Sequence, residues 1–204
     1  MKQRKPYHHG HLRQALLTAA IRLIAEAGPT AFTLRAVARR AGVSHNAPYR
    51  HFRDKDDLMA AVATQGFQEL TEAMLDAAGR NSNPLAQLKG AGLAYTAFAL
   101  RRPEHFTVMF DVAISEGEHS EAAQAGKQAF GTLVTFIRRC QEGKMLPSGD
   151  PLRAALLAWS MVHGIAKLAI TGRLPYRSRA GVMKFAEFAV DELLAVPERG
   201  RRRR

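Results

Sequence analysis

A single cysteine, Cys140, stands among the 204 residues of the chain. No intrachain disulfide can form, and neither a disulfide scaffold nor a cysteine-built zinc finger is available. A lone thiol fits a reducing compartment. Long apolar runs are missing too. The longest uncharged stretch, Ala154 to Ala166, lies between Arg153 and Lys167 and falls short of the roughly 18 residues that a membrane-spanning helix needs. Near the N-terminus, Lys2, Arg4 and Lys5 precede the run Ala15 to Ile21 and imitate a secretory leader. Arg22 and Glu26 interrupt that run, and its apolar positions share one helical face. Neither a spanning segment nor a leader is therefore expected. Asn-Gly and Asp-Gly pairs are absent, as is sustained period-two alternation, so hairpins have no signal. Apolar residues at 47% and charged residues at 24% exclude a disordered or collagen-like chain.

Acidic residues are scarce in one region only. Residues 1–65 carry 11 Lys and Arg against 4 Asp and Glu, whereas residues 66–198 carry 14 of each. Five more arginines lie within 199–204. Five of the eight histidines, His8, His9, His11, His45 and His51, also fall in the basic head. A basic segment of domain size attached to a neutral body points to a polyanion, either nucleic acid or an anionic surface.

What is present is helical periodicity. Leu12, Leu16, Ala19, Ala20, Leu23, Ile24 and Ala27 repeat at helical spacing until Gly28-Pro29. Thr33 can cap a short helix that Gly42 ends, and Ser44 can cap a third through His51. Asp54, Asn83-Pro84, Pro103, Ser120, Asp150-Pro151 and Ser178 each open a further helix. Gly143, Gly172 and Pro197 close three of them. The chain is expected to be all-α, with about nine helices.

Thr33 to Lys55, TLRAVARRAGVSHNAPYRHFRDK, reads as short helix, tight turn, short helix. Ala38 lets the two helices approach, Gly42 supplies the turn and Val43 fills the corner, which is the arrangement of a helix-turn-helix. Its second helix offers Ser44, His45, Asn46, Ala47, Tyr49 and Arg50, side chains that donate, accept or touch a thymine methyl without bulk. An ordinary helical hairpin with a solvated polar face would lack the local positive charge.

Residues 11–58 resemble the DNA-binding head of the TetR/AcrR family of bacterial transcription regulators. The matching elements are Ala19-Ala20, Ala27-Gly28, Thr33-Leu34-Arg35, Ala41-Gly42-Val43-Ser44, and Tyr49-Arg50-His51-Phe52 followed by Asp54-Lys55-Asp56-Asp57-Leu58. Trp159-Ser160-Met161-Val162-His163-Gly164 resembles the Trp/His/Gly signature of one branch of that family. The resemblance implies a basic arm over 1–10, a helix-turn-helix head over 11–58, an effector-binding and dimerisation body over 59–196, and a basic tail over 197–204. It implies a cytoplasmic homodimer, most often a repressor, that binds a partly palindromic double-stranded DNA operator and leaves it when a small-molecule effector binds. By position, His45, Asn46 and Ala47 would face bases, and Thr33, Arg35, Tyr49, His51 and Lys55 would meet phosphates. Arg39 and Arg40 stand between phosphate contact and plain solvated charge.

Trp159 and His163 lie one helical turn apart and share a face. They read either as a core tryptophan with a hydrogen-bonded histidine, or as the aromatic wall and polar anchor of an effector pocket. Tyr95, Phe98, Phe106, Met109 and Phe110 are further candidates for that pocket and equally for plain core. Leu156, Leu157, Met161, Phe185, Phe188 and Leu193 offer apolar surface for a dimer contact of the last two helices. His8, His9 and His11 have no ligand-spaced partner for a metal, and no cofactor is expected. Cys140 follows Arg138 and Arg139, which can lower its pKa and make it reactive; the plainer reading is an ordinary helix residue. No P-loop, Rossmann fingerprint, nucleophile elbow or zincin pattern occurs, so an enzyme is not expected. The competing reading is an architectural DNA binder that uses charge without reading sequence.

Overall fold

The computed structural model describes residues 9–112 and 120–195, with side chains from residue 12 onward. Most of the expected arm, the whole tail 197–204 and the side chains of His8, His9 and His11 lie outside the described residues. Among those described there is no strand. The elements are α1 (His9–Ala27), α2 (Leu34–Ala41), a 3-10 turn (Pro48–Arg50), α3 (Lys55–Gly79), α4 (Pro84–Arg101), α5 (Pro103–Asp111), α6 (Glu121–Glu142), α7 (Pro151–Ile170) and α8 (Arg179–Leu194). The all-α expectation holds, with eight α-helices and a 3-10 turn where a ninth helix was expected.

Local chemistry sets the helix ends. Thr33 Oγ1 accepts from the N–H of Ala36, Asn83 Oδ1 from Leu85 and Ala86, Asp150 Oδ1 from Leu152, and Ser178 Oγ from Gly181. Each satisfies helix N–H groups that have no partner within the helix. At the start of α3 the capping is mutual: Asp57 N–H donates to Asp54 Oδ1, and Asp57 Oδ2 accepts from Arg53 N–H.

The chain divides into two compact units, Met1–Gly66 with Glu104–Gln124, and Phe67–Pro103 with Ala125–Arg204. The expected head-to-body boundary at residue 58 falls in the first turns of α3, and the unit boundary falls further along the same helix. In the first unit, Leu16, Leu17 and Ala20 of α1, Val37 and Ala38 of α2, and Leu58 and Val62 of α3 are buried. Here α5 crosses α3 at Gly66, where an added Cβ would lie 2.5 Å from Met109 Sδ and 3.3 Å from His105 Cβ. A side chain at residue 66 would have to displace the Met109 thioether.

In the second unit, α4 packs along α7 and α8. Leu88, Ala91, Tyr95, Phe98 and Ala99 form its buried face. Fully burying a side chain such as Phe98 stabilises the fold by about 1.5–3 kcal/mol. Ile165, Val182 and Ala186 make a second cluster, against which Met161 and Phe185 pack. Lys89 on α4 pairs with Glu187 at 3.0 Å and Asp191 at 2.8 Å on α8, and these bonds hold its pKa above the ordinary lysine range. Among the described residues one helix, α7, is long and apolar enough to span a membrane by length and composition, with a mean hydropathy of 1.2, although no spanning segment was expected from the sequence. Cys140 is buried, and burial pushes its thiol pKa up, so the reactive thiolate considered for it is not supported.

Candidate nucleic-acid interface and effector cavity

The recognition segment is built differently from the helix the sequence suggested. Ser44 does not cap a third α-helix; residues 45–47 form turns, and regular structure is confined to Pro48–Arg50. Proline explains the difference. In an α-helix begun at Ser44, the N–H of residue 48 would bond Ser44 O, and Pro48 has none. Ser44 O instead accepts from Ala47 N–H at 2.9 Å, and the 3-10 pattern continues with Arg50 N–H to Ala47 O at 3.3 Å and His51 N–H to Pro48 O at 2.9 Å. Upstream, Gly42 takes φ 70 and its N–H reaches Ala38 O and Arg39 O, while Val43 N–H bonds Ala38 O at 3.0 Å. This closes α2 as a left-handed C-cap closes a helix. Pro48 and Phe52 are buried and pin the segment to the head.

The expected base-facing residues are accessible: His45 and Asn46 are exposed and Ala47 is half-buried. Among the expected phosphate contacts, Thr33 and Arg35 are exposed, and Tyr49 is 53% exposed. His51 is half-buried, with Nε2 covered and without a hydrogen-bond partner. Lys55 is already engaged. Its Nζ donates to Thr30 O at 2.9 Å and lies 4.5 Å from the centre of the Phe32 ring. Arg39 and Arg40 separate cleanly. Arg40 forms a bidentate pair with Glu26, 2.6 and 2.5 Å, whereas Arg39 is exposed. That pair lowers the Glu26 pKa and raises that of Arg40. Arg50, expected on the polar face of this segment, is exposed beside Tyr49.

Of the seven residues expected to line an effector pocket, four lie in the second unit and three in the first. Phe106, Met109 and Phe110 belong to the first unit, where the rings of Phe106 and Phe110 lie 4.8 Å apart. Phe98 is fully buried core of the second. Tyr95, Trp159 and His163 do come together. Trp159 Nε1 donates to the Tyr95 hydroxyl at 3.1 Å, and that hydroxyl lies 2.8 Å from Nδ1 of His163. A hydroxyl that accepts from Trp159 has its own proton to offer Nδ1. Phe130 packs edge-on against Trp159 at 5.8 Å. Burial holds the Tyr95 pKa far above the ordinary phenol range, so its proton stays in place. Tyr95→Phe is expected to destabilise the protein by about 1–3 kcal/mol, read from urea unfolding, because both neighbours lose the hydroxyl. An unchanged midpoint would mean that the contact contributes nothing to stability.

A cavity of about 810 Å³ opens elsewhere in the second unit, among α4, α6, α7, α8 and the segment 143–149. None of the seven expected residues lines it. Leu88, Leu133, Ile137, Met161, Val162 and Val190 supply apolar wall, while Gln141, Lys144, Ser148 and Asp150 are its polar members. No run of sequence pointed to it, since its walls come from four helices that meet only in the fold.

A basic head with an exposed helix-turn-helix edge, carried with a helical body that holds a cavity, defines a class: a helical DNA-binding regulator. The family model described as "Bacterial regulatory proteins, tetR family" matches residues 16–62, and that described as "Tetracyclin repressor-like, C-terminal domain" matches residues 88–193. The chain belongs to the TetR family of bacterial transcription regulators. It is 27% identical over 162 residues to the HTH-type transcriptional regulator AcrR of Shigella flexneri, covering 75% of each protein. A Rhodococcus sp. RHA1 protein of unknown function superposes with a TM-score of 0.82 at 35% identity, over 94% of this chain and 97% of the other. AibR, solved in complex with isovaleryl coenzyme A and operator DNA, shares the fold with a TM-score of 0.73 at 20% identity, over 90% of this chain and 98% of its own.

Proposed function

We propose that this regulator is a cytoplasmic homodimeric repressor that a small-molecule effector releases from a palindromic operator. The observation that carries this reading is an exposed apolar stripe on α7 and α8 in a chain that also bears a DNA-binding head. Leu152, Leu156, Leu157, Leu168 and Phe188 are between 42% and 61% exposed, more large apolar surface than a lone chain keeps without reason. Of the residues expected at the interface, Leu156 and Phe188 lie on this surface, Leu157 lies on it and at the edge of the cavity, Met161 and Phe185 pack against the subunit's own second cluster, and Met161 and Leu193 line the cavity. The crystal of AibR with both a coenzyme A thioester and DNA supports the coupling of ligand to operator in this fold. Within this reading the head extends over residues 11–58 and the body over 59–196, and the resemblance of Trp159, His163 and Gly164 to the Trp/His/Gly signature supports membership of that branch.

Selection of bound genomic fragments followed by sequencing tests the reading. A recurrent palindrome is the expected result. Binding with no preferred site and a strong salt dependence would instead favour an architectural protein.

Lys55 gives a second test with a complication that the structure makes visible. Lys55→Ala is expected to weaken binding to all DNA sequences about equally and to lower the slope of log K against log salt by roughly 0.9 per contact, about two units per dimer. It also removes the hydrogen bond to Thr30 O and the contact with Phe32, a loss of about 0.5–1.5 kcal/mol in head stability. Lys55→Gln keeps a donor for Thr30 O without the charge. A salt slope that stays fixed in both variants would remove Lys55 from the phosphate set.

A further inference from the structure

The cavity of the second unit has an unusual polar lip. Gly143, the expected stop of α6, continues the helical bonding, with its N–H on Arg139 O at 3.0 Å. The turn falls one residue later. Lys144 takes φ 56, the only positive φ at a non-glycine residue among those described. Met145 N–H and Leu146 N–H then both reach back to Cys140 O, at 2.8 and 3.2 Å, and Gln141 Nε2 holds Pro147 O at 3.1 Å. A lysine in this left-handed conformation is strained, and a glycine would adopt it freely. None of these bonds uses the ammonium group. Strain kept at a residue that lines a cavity points to a role for its side chain.

Of the other polar members, Gln141 and Asp150 are committed within the chain and Ser148 is uncharged. Gln141 holds the turn. Asp150 caps α7 through Leu152 N–H at 2.9 Å and lies 3.8 Å from Arg153 Nε. Lys144 is exposed and has no such partner. The cavity therefore offers an apolar body and one uncompensated positive charge at its lip. Its volume of about 810 Å³ falls in the range of small-molecule sites.

We propose that this cavity is the effector site and that it takes a small amphipathic monoanion, with the apolar part among α4, α6, α7 and α8 and a carboxylate-type head on Lys144. The proposal rests on the reading of the protein as a ligand-released regulator and adds the place and chemistry of the ligand. A cationic head would meet Lys144 with no free carboxylate to offset it. A coenzyme A thioester brings several phosphate charges to a site with a single free cation. A neutral apolar molecule would fill the cleft but give Lys144 no function.

Titration calorimetry with decanoate, decanol and decanoyl-coenzyme A separates these cases. Decanoate is expected to bind the wild type about fivefold more tightly than decanol, the gain of one partly exposed ion pair, and the difference is expected to shrink as salt rises. Lys144→Met should erase that preference without weakening decanol. Lys144→Gly should erase it too while raising the melting temperature, because the strain at residue 144 is relieved; a merely structural lysine would not link the two effects. Ala158→Phe, which fills the cleft, should abolish binding of both probes, and Ala154→Phe serves if the first variant does not fold. Equal affinity for decanoate and decanol, a preference that survives Lys144→Met, tighter binding of the coenzyme A thioester, or no saturable binding of any probe would each overturn the monoanion. Binding that survives the filling variants would overturn the site. DNA binding distinguishes failure here from failure of the broader reading. If decanoate binds through Lys144 but leaves operator affinity unchanged, the site stands and ligand release fails. If operator affinity answers a ligand that Ala158→Phe still binds, release stands and this site fails.

Discussion

Phe188→Asp is expected to give a folded monomer that no longer selects an operator. Phe188 is 59% exposed within the subunit, so the substitution removes little of the monomer's own packing. In the proposed dimer the same position is covered by a partner, and an uncompensated buried charge there would cost about 3–5 kcal/mol. That corresponds to a loss of roughly two to four orders of magnitude in the association constant. The surface around it supports a helix-on-helix contact. Leu152, Leu156, Ser160, Gly164 and Leu168 follow one another at i+4 spacing along α7, which puts them on one face. A Cβ built on Gly164 would meet nothing within 4 Å in the subunit, so the glycine leaves room for a neighbour from outside. Large side chains flank small ones, as at a close crossing of two helices. The consequence for DNA is geometric: two heads must lie about 34–36 Å apart, or a multiple of that, to read successive major grooves. Sedimentation equilibrium should show a dimer for the wild type and a monomer for Phe188→Asp, with operator affinity falling to the non-specific level. A wild type that sediments as a monomer at all concentrations would refute the dimer. A monomeric variant with full operator affinity would show that the dimer is dispensable for reading DNA.

Much of this architecture was legible because its determinants are local. Thr33, Asn83, Asp150 and Ser178 cap the helices they were expected to cap, since an N-cap acts within three residues of itself. Gly42 closes α2 for the same reason. Misreadings arose where one residue changes the bonding pattern or where the partner is distant. Pro48 cannot supply the N–H that an α-helix begun at Ser44 would place on Ser44 O, and the segment is a 3-10 turn instead. The helix α6 ends at Glu142 with Gly143 next, as expected, but the left-handed residue is Lys144 and not the glycine, because the return of Met145 and Leu146 to Cys140 O fixes where it must fall. The different fates of Arg39 and Arg40 depend on Glu26, fourteen residues away on another helix. The aromatic residues of the body depend on packing in the same way. Helical spacing gathers Trp159 and His163 on one face, but only the packing of α4 brings Tyr95 to them and consumes their polar atoms.

The second large effect is expected at Asn46. Its side chain is exposed in the turn before Pro48–Arg50, on a segment anchored from beneath by buried Pro48 and Phe52. It makes no side-chain hydrogen bond within the described structure, so Asn46→Ala should leave the melting temperature nearly unchanged, as surface substitutions usually do within about 0.5 kcal/mol. Bound to DNA, an asparagine can pair with adenine through both its amide groups, and such a contact is worth about 1–3 kcal/mol of discrimination. Asn46→Ala is therefore expected to weaken binding to the cognate site by about 1–3 kcal/mol and to relax preference at one base pair in each half-site. Affinity for non-specific DNA, and the dependence of log K on log salt, should not move, since no phosphate contact is lost. Binding curves on operators carrying every single-base change measure all of these together. An unchanged preference profile would remove Asn46 from the base-reading set. A uniform loss across the panel with a lower salt slope would make it a phosphate contact, and would transfer base reading to His45 and Ala47 beside it.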